Sequence, residues 1–409
     1  MRMERFNIVT FTKHLRRVWH HRHRLFARLS TAFRLPRRSR PRILAVSAAS
    51  IVLGMSSFAG SGPTSFDLVG RWEATIDVGK AKFRVDLNVN KSVDGKRLQV
   101  TLDLPDQGTK DVPVNALLYH QPDVRLEIDA WRLVFSGKLS GDGKAMSGDF
   151  VDGTRMTFKR LLPGAAAEPR RSYAHAAGEP ADFRGYWLGR VESDPGVILP
   201  LGLKIGRLPD GTLEALLDDF EHGTTDVPAG EMSVTNGVAS MNWPLSQMSF
   251  EGGLGPDGRE LAGKWHRGDK AAPVAFKRLD RPAAVFPEGT SFVPDAKEPG
   301  DLRGDWRGTI ESEGQKQRLV LRLGRLPDAN YAATLNFPDM GGNSMLASHA
   351  GVTNSIVRIE YHGIHSSYTA TLNASGTALD GKWEDGGSPK PLSLTRDAVA
   401  AGDSATGGK

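Results

Sequence analysis

Asp182-Phe183-Arg184-Gly185-Tyr186-Trp187 is one of three occurrences of a single pattern, D-x-x-G-x-W; the others are Asp67-Leu68-Val69-Gly70-Arg71-Trp72 and Asp301-Leu302-Arg303-Gly304-Asp305-Trp306. Each opens a stretch of roughly a hundred residues, the period expected of a tandem array of small domains. Each stretch also closes alike, on Phe158-Lys159-Arg160, Phe276-Lys277-Arg278 and Leu394-Thr395-Arg396. Shortly before each closing run stands a second marker, a glycine and an aromatic two residues on: Gly148 and Phe150, Gly263 and Trp265, Gly381 and Trp383. Order and spacing both repeat, so the chain is one unit copied three times. Residues shared by all three copies are read as scaffold, because each copy must fold but need not bind the same thing.

Between the markers the hydrophobic period is two. Phe83, Val85, Leu87 and Val89 alternate with Arg84, Asp86 and Asn88, and the runs Leu199 to Ile205 and Leu319 to Leu323 repeat the pattern. Alternation of this kind buries one face of a strand and wets the other. Turn signals follow at Asp94-Gly95, Pro209-Asp210-Gly211 and Pro327-Asp328-Ala329-Asn330, where glycine or asparagine supplies the positive φ of hairpin turns. No stretch of the copies carries a helical stripe. The expected fold is all-β: three tandem small antiparallel β-barrels, each of eight or nine short strands. In such a barrel the first and last strands lie side by side, so Arg160 would cover Trp72, Arg278 would cover Trp187 and Arg396 would cover Trp306, each contact worth about 0.5–2 kcal/mol. Gly70, Gly185 and Gly304 complete that structural signature.

The expected division is a basic leader with signal peptide or membrane anchor over 1–62, β-units over 66–161, 182–279 and 301–397, linkers over 162–181 and 280–300, and a disordered tail over 398–409. The linkers are rich in Pro, Ala and charge and read as semi-extended.

The net charge of +6 hides a division. Residues 1–42 hold 13 of the 53 Lys and Arg and one acid, Glu4, so the leader carries +12 and the rest of the chain −6. The repeated part is acidic, which argues against nucleic acid as a partner. The basic segment runs into the apolar stretch Ile43–Met55 and then Ser57, Phe58 and Ala59, the order of a secretory signal. The expected location is the periplasm or the exterior; the alternative is an inner-membrane anchor facing the periplasm. The chain has no cysteine, which removes disulfides, thiolate metal sites and cysteine nucleophiles.

The G-x-W of the first strand with an arginine from the last resembles the lipocalin signature, and implies a shortened lipocalin-like barrel. The fuller succession of G-x-W, alternating strand, Asp-Gly turn, Asp103-Leu104-Pro105-Asp106-Gln107-Gly108, Val112-Pro113, G-x-aromatic and F-K-R resembles the small β-module that precedes the catalytic domain in many secreted bacterial serine hydrolases. The corresponding segments are Glu221-His222-Gly223 with Asp226-Val227-Pro228, and Asp339-Met340-Gly341. That resemblance implies an accessory role beside a separately encoded hydrolase, since no hydrolase sequence follows Arg396.

Motifs that suggest chemistry are few. Gly253-Leu254-Gly255-Pro256-Asp257-Gly258 has the spacing of a dinucleotide loop but lies between two strands, so a turn is expected there and no cofactor. No G-x-S-x-G is present. Asp218, Asp219 and Glu221 beside His222 form the best acid–base cluster, expected to be a solvated loop, and Tyr361, His362 and His365 form a second, weaker one. No catalytic or metal-binding residues are assigned. Trp131 and Trp243 lie outside the repeated signature, and with His222 and Tyr361 they are the candidate ligand contacts. The expected function is a non-catalytic binding or scaffolding protein of the cell envelope, its partner a glycan, a peptide or a protein. The rivals are a membrane-anchored spacer and an enzyme built on the Asp218–His222 loop.

Overall fold

The computed structural model describes residues 68–397, except 79–80, 152, 162–170, 176–181, 195, 245, 296, 299, 313–314, 342 and 387. The leader, Asp67, much of the first linker and the tail lie outside the described residues.

Each copy is one nine-stranded antiparallel sheet. The first contains β1 (Gly70–Val78), β2 (Ala81–Lys91), β3 (Leu98–Leu104), β4 (Thr109–Pro113), β5 (Ala116–His120), β6 (Asp123–Ile128), β7 (Leu133–Leu139), β8 (Ala145–Phe150) and β9 (Arg155–Arg160). The second contains β10 (Gly185–Asp194), β11 (Val197–Arg207), β12 (Leu213–Asp219), β13 (Thr224–Pro228), β14 (Glu231–Thr235), β15 (Val238–Trp243), β16 (Met248–Leu254), β17 (Glu260–Arg267) and β18 (Lys270–Leu279). The third contains β19 (Gly304–Ser312), β20 (Gln315–Arg325), β21 (Tyr331–Asn336), β22 (Ser344–Leu346), β23 (His349–Thr353), β24 (Ile356–Tyr361), β25 (Ser366–Leu372), β26 (Ala378–Glu384) and β27 (Lys390–Arg396).

The first and last strands pair as expected, but in the middle of the sheet. The order is β4-β3-β2-β1-β9-β8-β7-β6-β5, and it repeats in the other copies. The end strands β4 and β5 are consecutive in the chain, separated by Val114 and Asn115. The Val114 N–H donates to the Val100 carbonyl of β3 and the Asn115 N–H to the Glu127 carbonyl of β6. The ladder thus passes from one end of the sheet to the other at a bend in a single run of chain, and the sheet curls round on itself. Ala229 and Gly230 make the same bonds to Ala215 and Asn242, and Ala347 and Ser348 to Ala333 and Glu360. Three separate apolar cores fill the three curled sheets.

The signature residues hold the ends of these curls. Trp72, Trp187 and Trp306 have no exposed surface. Each donates its indole N–H to the carbonyl four residues earlier, Leu68, Phe183 and Leu302, at 2.9, 3.1 and 2.8 Å. The φ angles of Gly70, Gly185 and Gly304, +142°, +132° and +115°, are what let the chain turn back for that bond. Arg160, Arg278 and Arg396 lie over the three rings at 4.4, 4.1 and 4.4 Å.

Parts of the linkers are not free spacers. Ser172 and Arg207 exchange backbone hydrogen bonds at 2.9 and 3.0 Å, and Ser291 and Arg325 do so at 2.9 and 2.8 Å. Tyr173 and Phe292 lie over Gly206 and Gly324, where a Cβ would collide with their rings. The absence of a side chain on β11 and β20 makes room for these straps.

Equivalent corners join the copies in a ring. The corner after β3 places Gly108 against the Thr225 backbone, and Lys110 reaches Asp226 at 3.1 Å. The corner after β12 sets Gly223 against Ser344 and Met345, and Phe220 accepts the Leu346 N–H at 2.7 Å. The corner after β21 returns to the first copy, where Gly341 lies against the Lys110 carbonyl and Asn343 donates to Gly108. Contacts running first to second, second to third and third to first are those of a head-to-tail ring that closes.

Candidate functional site

Structural equivalence singles out the second copy. Trp72 faces Leu87, which faces Leu102; the corresponding sets are Trp187, Leu203 and Leu217, and Trp306, Leu321 and Leu335. Counting on two residues, Asp219 occupies the place of Leu104 and Phe337, and His222 the place of Gln107 and Met340. A carboxylate therefore stands where the other copies put core hydrocarbon. Asp219 is 5% exposed and His222 2%; the cluster is buried, which corrects the expectation of a solvated loop.

Burial of an acid is costly unless it is paired. The His222 Nδ1–H donates to Asp219 Oδ2 at 2.7 Å and the His222 backbone N–H to Oδ1 at 3.2 Å. Burial pushes the Asp219 carboxyl up, but the His222 and Arg267 charges and the hydrogen bonds outweigh it and hold the group below the usual carboxylate range. The outer ring nitrogen, Nε2, lies 3.0 Å from the Gly363 carbonyl of the third copy. Both ring nitrogens of His222 thus face oxygen atoms, one within its own copy and one in the third.

Glu221 holds the other backbone group of the same residue, accepting the Gly363 N–H at 2.9 Å. The reason lies in one residue. Asp106 and Asp339, at the equivalent position, accept the backbone N–H groups of Arg84 and Arg318 at 2.6 and 2.9 Å within their own copies. The matching residue in the second copy is Pro200, which has no N–H to give. Glu221, one methylene longer, reaches the third copy instead; burial pushes its carboxyl up against the lowering effect of the Gly363 and Ser348 hydrogen bonds. Asp218 faces elsewhere, bonding Lys204 and the Asp226 N–H at 3.0 and 2.8 Å.

Asp219 also lines a cleft of about 830 Å³ in the second copy. Its origin is the seam between β10 and β18. The ladder there covers Tyr186–Gly189 against Phe276–Leu279 only, while β10 continues to Asp194. Arg278 zips the near end, donating to the Gly258 and Asp182 carbonyls at 2.7 and 2.6 Å. Beyond Gly189 the strands part. Val191, Leu199 and Leu201 with Trp265 and Ala272 line the gap, Met248 lies beside them, and Arg190, Glu192, Arg267 and Lys270 stand at its mouth.

Side-chain size distinguishes this seam from its counterparts. Where the second copy has Val191, Leu199 and Val274, the first has Ile76, Phe83 and Met156, all buried. The third has Ile310, Gln317 and Leu392. Smaller residues at equivalent places leave space that larger ones take up.

The other sequence candidates are placed plainly. Trp243 and Tyr361 end β15 and β24 at equivalent positions, are 1% exposed, and pack on Trp265 and Trp383 at 5.5 and 5.9 Å. Trp131 is 5% exposed, in a 3-10 turn against Pro338–Met340 of the third copy. As core rings, these three do not offer an exposed face to a ligand. The turn that His362 and His365 needed to face one another does exist, over His362–Ile364, and both line a groove of about 490 Å³ beside Gly196 and Val197. Among the described residues no group of three His, Asp or Glu side chains is placed to hold a metal ion. Gly255–Asp257 are the turn between β16 and β17. Sequence reasoning missed the cleft-lining residues Val191 and Leu199, although comparing the copies position by position carries the signal.

No family model matches the chain, and no curated protein does. Among solved structures it is similar to a protein of unknown function of the DUF3598 family from Nostoc punctiforme, at 11% identity over 82% of this chain and 100% of that one, with a TM-score of 0.15. It is also similar to transferrin binding protein B from Neisseria meningitidis, at 13% identity over 77% of this chain and 66% of that one, with a TM-score of 0.17. At TM-scores of this size nothing about function is transferred. The class is therefore defined by the chain itself: an all-β protein of three curled, nine-stranded antiparallel sheets. Among the described residues no helix is long and apolar enough to cross a membrane.

Proposed function

We propose that the chain is a non-catalytic binding protein of the cell envelope, in which three curled sheets form one ring and the second carries, beside its β10–β18 seam, a cleft that serves as a ligand seat. The observation that carries this reading is a cleft of about 830 Å³ lined by Val191 and Leu199, where the first copy has the larger Ile76 and Phe83. Apolar clefts of a few hundred to about a thousand Å³ with a few polar groups are the usual form of small-molecule sites. An enzyme built on Asp219 and His222 is disfavoured by direction: the nitrogen that a general base would use is bonded to the Gly363 carbonyl, away from the cleft. The envelope location rests on the leader, Ile43–Met55 with its basic flank.

The test is native mass spectrometry of the protein purified from cell envelopes. The wild type is expected to retain a small molecule that the variant Val191→Ile/Leu199→Phe/Val274→Met has lost. Retention by both forms, or by neither, contradicts the seat. Recovery of a hydrolase with both forms instead favours the accessory role that the resemblance to hydrolase-preceding modules suggests.

A further inference from the structure

The straps of the second and third barrels have a counterpart in the leader. Ser172-Tyr173 begins ten residues ahead of Asp182, the first residue of its D-x-x-G-x-W run, and Ser291-Phe292 begins ten ahead of Asp301. Ten residues ahead of Asp67 stands Ser57-Phe58, again a serine followed by an aromatic. We infer that Ser57-Phe58 is the strap of the first barrel and docks on the end of β2 beside Asn90 and Lys91.

The receiving positions match by counting. Arg207 and Arg325, which exchange backbone hydrogen bonds with Ser172 and Ser291, lie four residues beyond Leu203 and Leu321; four beyond Leu87 is Lys91. In the second and third barrels the residue before that arginine, Gly206 or Gly324, is buried beneath the strap. The first has Asn90 there, and Asn90 is exposed. What meets the strap ring differs from copy to copy. Tyr173 stacks on Tyr186 at 5.1 Å, whereas Phe292 lies under the Arg322 guanidinium at 4.4 Å. In the first barrel the place of Tyr186 belongs to Arg71, on the same face of the sheet as Asn90, its side chain 55% exposed although Asp86 is 3.6 Å away. A guanidinium there can cover Phe58 as Arg322 covers Phe292. Since Asn90 has a side chain where the other copies have none, Phe58 is expected to sit toward Arg71 and not directly over residue 90.

The assignment bears on processing. Ser57, Phe58 and Ala59 also have the order of a peptidase site, but a cut after Ala59 would take the strap away. The mature chain is therefore expected to keep Ser57 and Phe58.

The chain has no cysteine, so pairs of cysteines introduced into the full-length protein test the contact directly. Residues that exchange both backbone hydrogen bonds have Cα atoms about 5.5 Å apart, within reach of a disulfide. Ser57→Cys/Lys91→Cys should close on mild oxidation as readily as the reference pairs Ser172→Cys/Arg207→Cys and Ser291→Cys/Arg325→Cys. Ser57→Cys/Ser147→Cys, whose second site lies three strands from β2, should stay open. Phe58→Ala should lower the Tm by on the order of 2–4 °C, as Phe292→Ala does, and N-terminal sequencing of protein from cell envelopes should find the first residue at or before Ser57. The strap is overturned if the Lys91 pair stays open while the reference pairs close, if the Ser147 pair closes equally well, or if the disulfide joins two chains in place of closing within one. An unchanged Tm in Phe58→Ala, or a mature chain that starts after Phe58, overturns it as well.

Discussion

The first and second barrels share every element of closure and differ in what they do with the space closed in. Both set a fully buried Trp beneath an Arg from the last strand, both bend their end strands into one another, and both send a Gly corner to the next copy. The first then puts Ile76, Phe83, Met156 and Leu104 where the second has Val191, Leu199, Val274 and a charged Asp219. Hydrocarbon has been withdrawn from the seam and a buried ion pair added to the wall. Duplication made this possible: with the scaffold fixed by residues common to all copies, one copy could give up core packing while the ring held it in place.

The largest effects are expected where the two barrels are alike. Trp187→Ala and Trp72→Ala should each cost about 3–5 kcal/mol of stability, as emptying a large buried site does. Arg278→Ala combined with Trp187→Ala in a double-mutant cycle should show a coupling of about 0.5–2 kcal/mol. Coupling near zero would remove the closure argument for every copy at once.

Next come the changes that should act on the second barrel alone. Asp219→Ala leaves His222 buried without its counter-ion and should cost about 3–5 kcal/mol, whereas Asp219→Leu/His222→Gln, the pair found in the first copy, should restore or exceed wild-type stability. Chemical denaturation measures both, and a double variant as weak as the single one would mean that the pair is needed for folding and not only tolerated by it.

Residues 182–279 expressed alone should show β-type circular dichroism and a cooperative thermal transition. The isolated copy should be less stable than the same barrel within the ring by about 1–3 kcal/mol, because Glu221 and His222 lose their partner Gly363. Non-cooperative melting would show that the second barrel borrows its fold from its neighbours.

The smallest expected effect is that of Glu221→Gln, within about 1 kcal/mol at neutral pH, since the amide can still accept the Gly363 N–H without a buried charge. Its pH dependence carries the information. The Glu221 carboxyl is raised in the folded chain, so the native state holds that proton more tightly, and its contribution falls as pH rises from the ordinary glutamate value through the folded one. Asp219 is lowered and works oppositely: its contribution is present above the ordinary aspartate value and is lost as pH falls through the folded one. Subtracting the Glu221→Gln stability profile from that of wild type should leave the first slope only.

Much of this architecture is legible in the sequence. The alternation of Phe83 to Val89 and its two repeats gives the strands, and the recurrence of a Trp near the start and an Arg at the close of each copy gives the closing pair, because both depend on local pattern and on order. The fate of the Asp218–His222 segment was harder to read, since adjacent carboxylates ordinarily face water. What buries them is register: β12 carries Asp219 into a slot that faces the core, and Pro200 withholds the N–H that would have kept Glu221 at home. Trp131, Trp243 and Tyr361 look like candidate stacking rings when only their irregular placement is considered, but each falls where the strand ends and the chain folds back over the barrel. The linkers read as spacers from composition, yet Ser172 and Ser291 have backbone partners that no composition reveals. The cleft is the least legible feature, because a difference of one or two methyl groups in its walls shows only when the three copies are laid on one another.

The central claim, that the second barrel is a scaffold copy opened to hold a ligand, is tested most directly by native mass spectrometry of wild type and of Val191→Ile/Leu199→Phe/Val274→Met purified from cell envelopes. The filled variant should fold with a Tm equal to or above that of wild type, since cavity filling commonly adds about 0.5–2 kcal/mol, and the wild type alone should retain a small molecule. Retention by both proteins or by neither, or a filled variant that unfolds well below wild type because the cleft had no room, would contradict it.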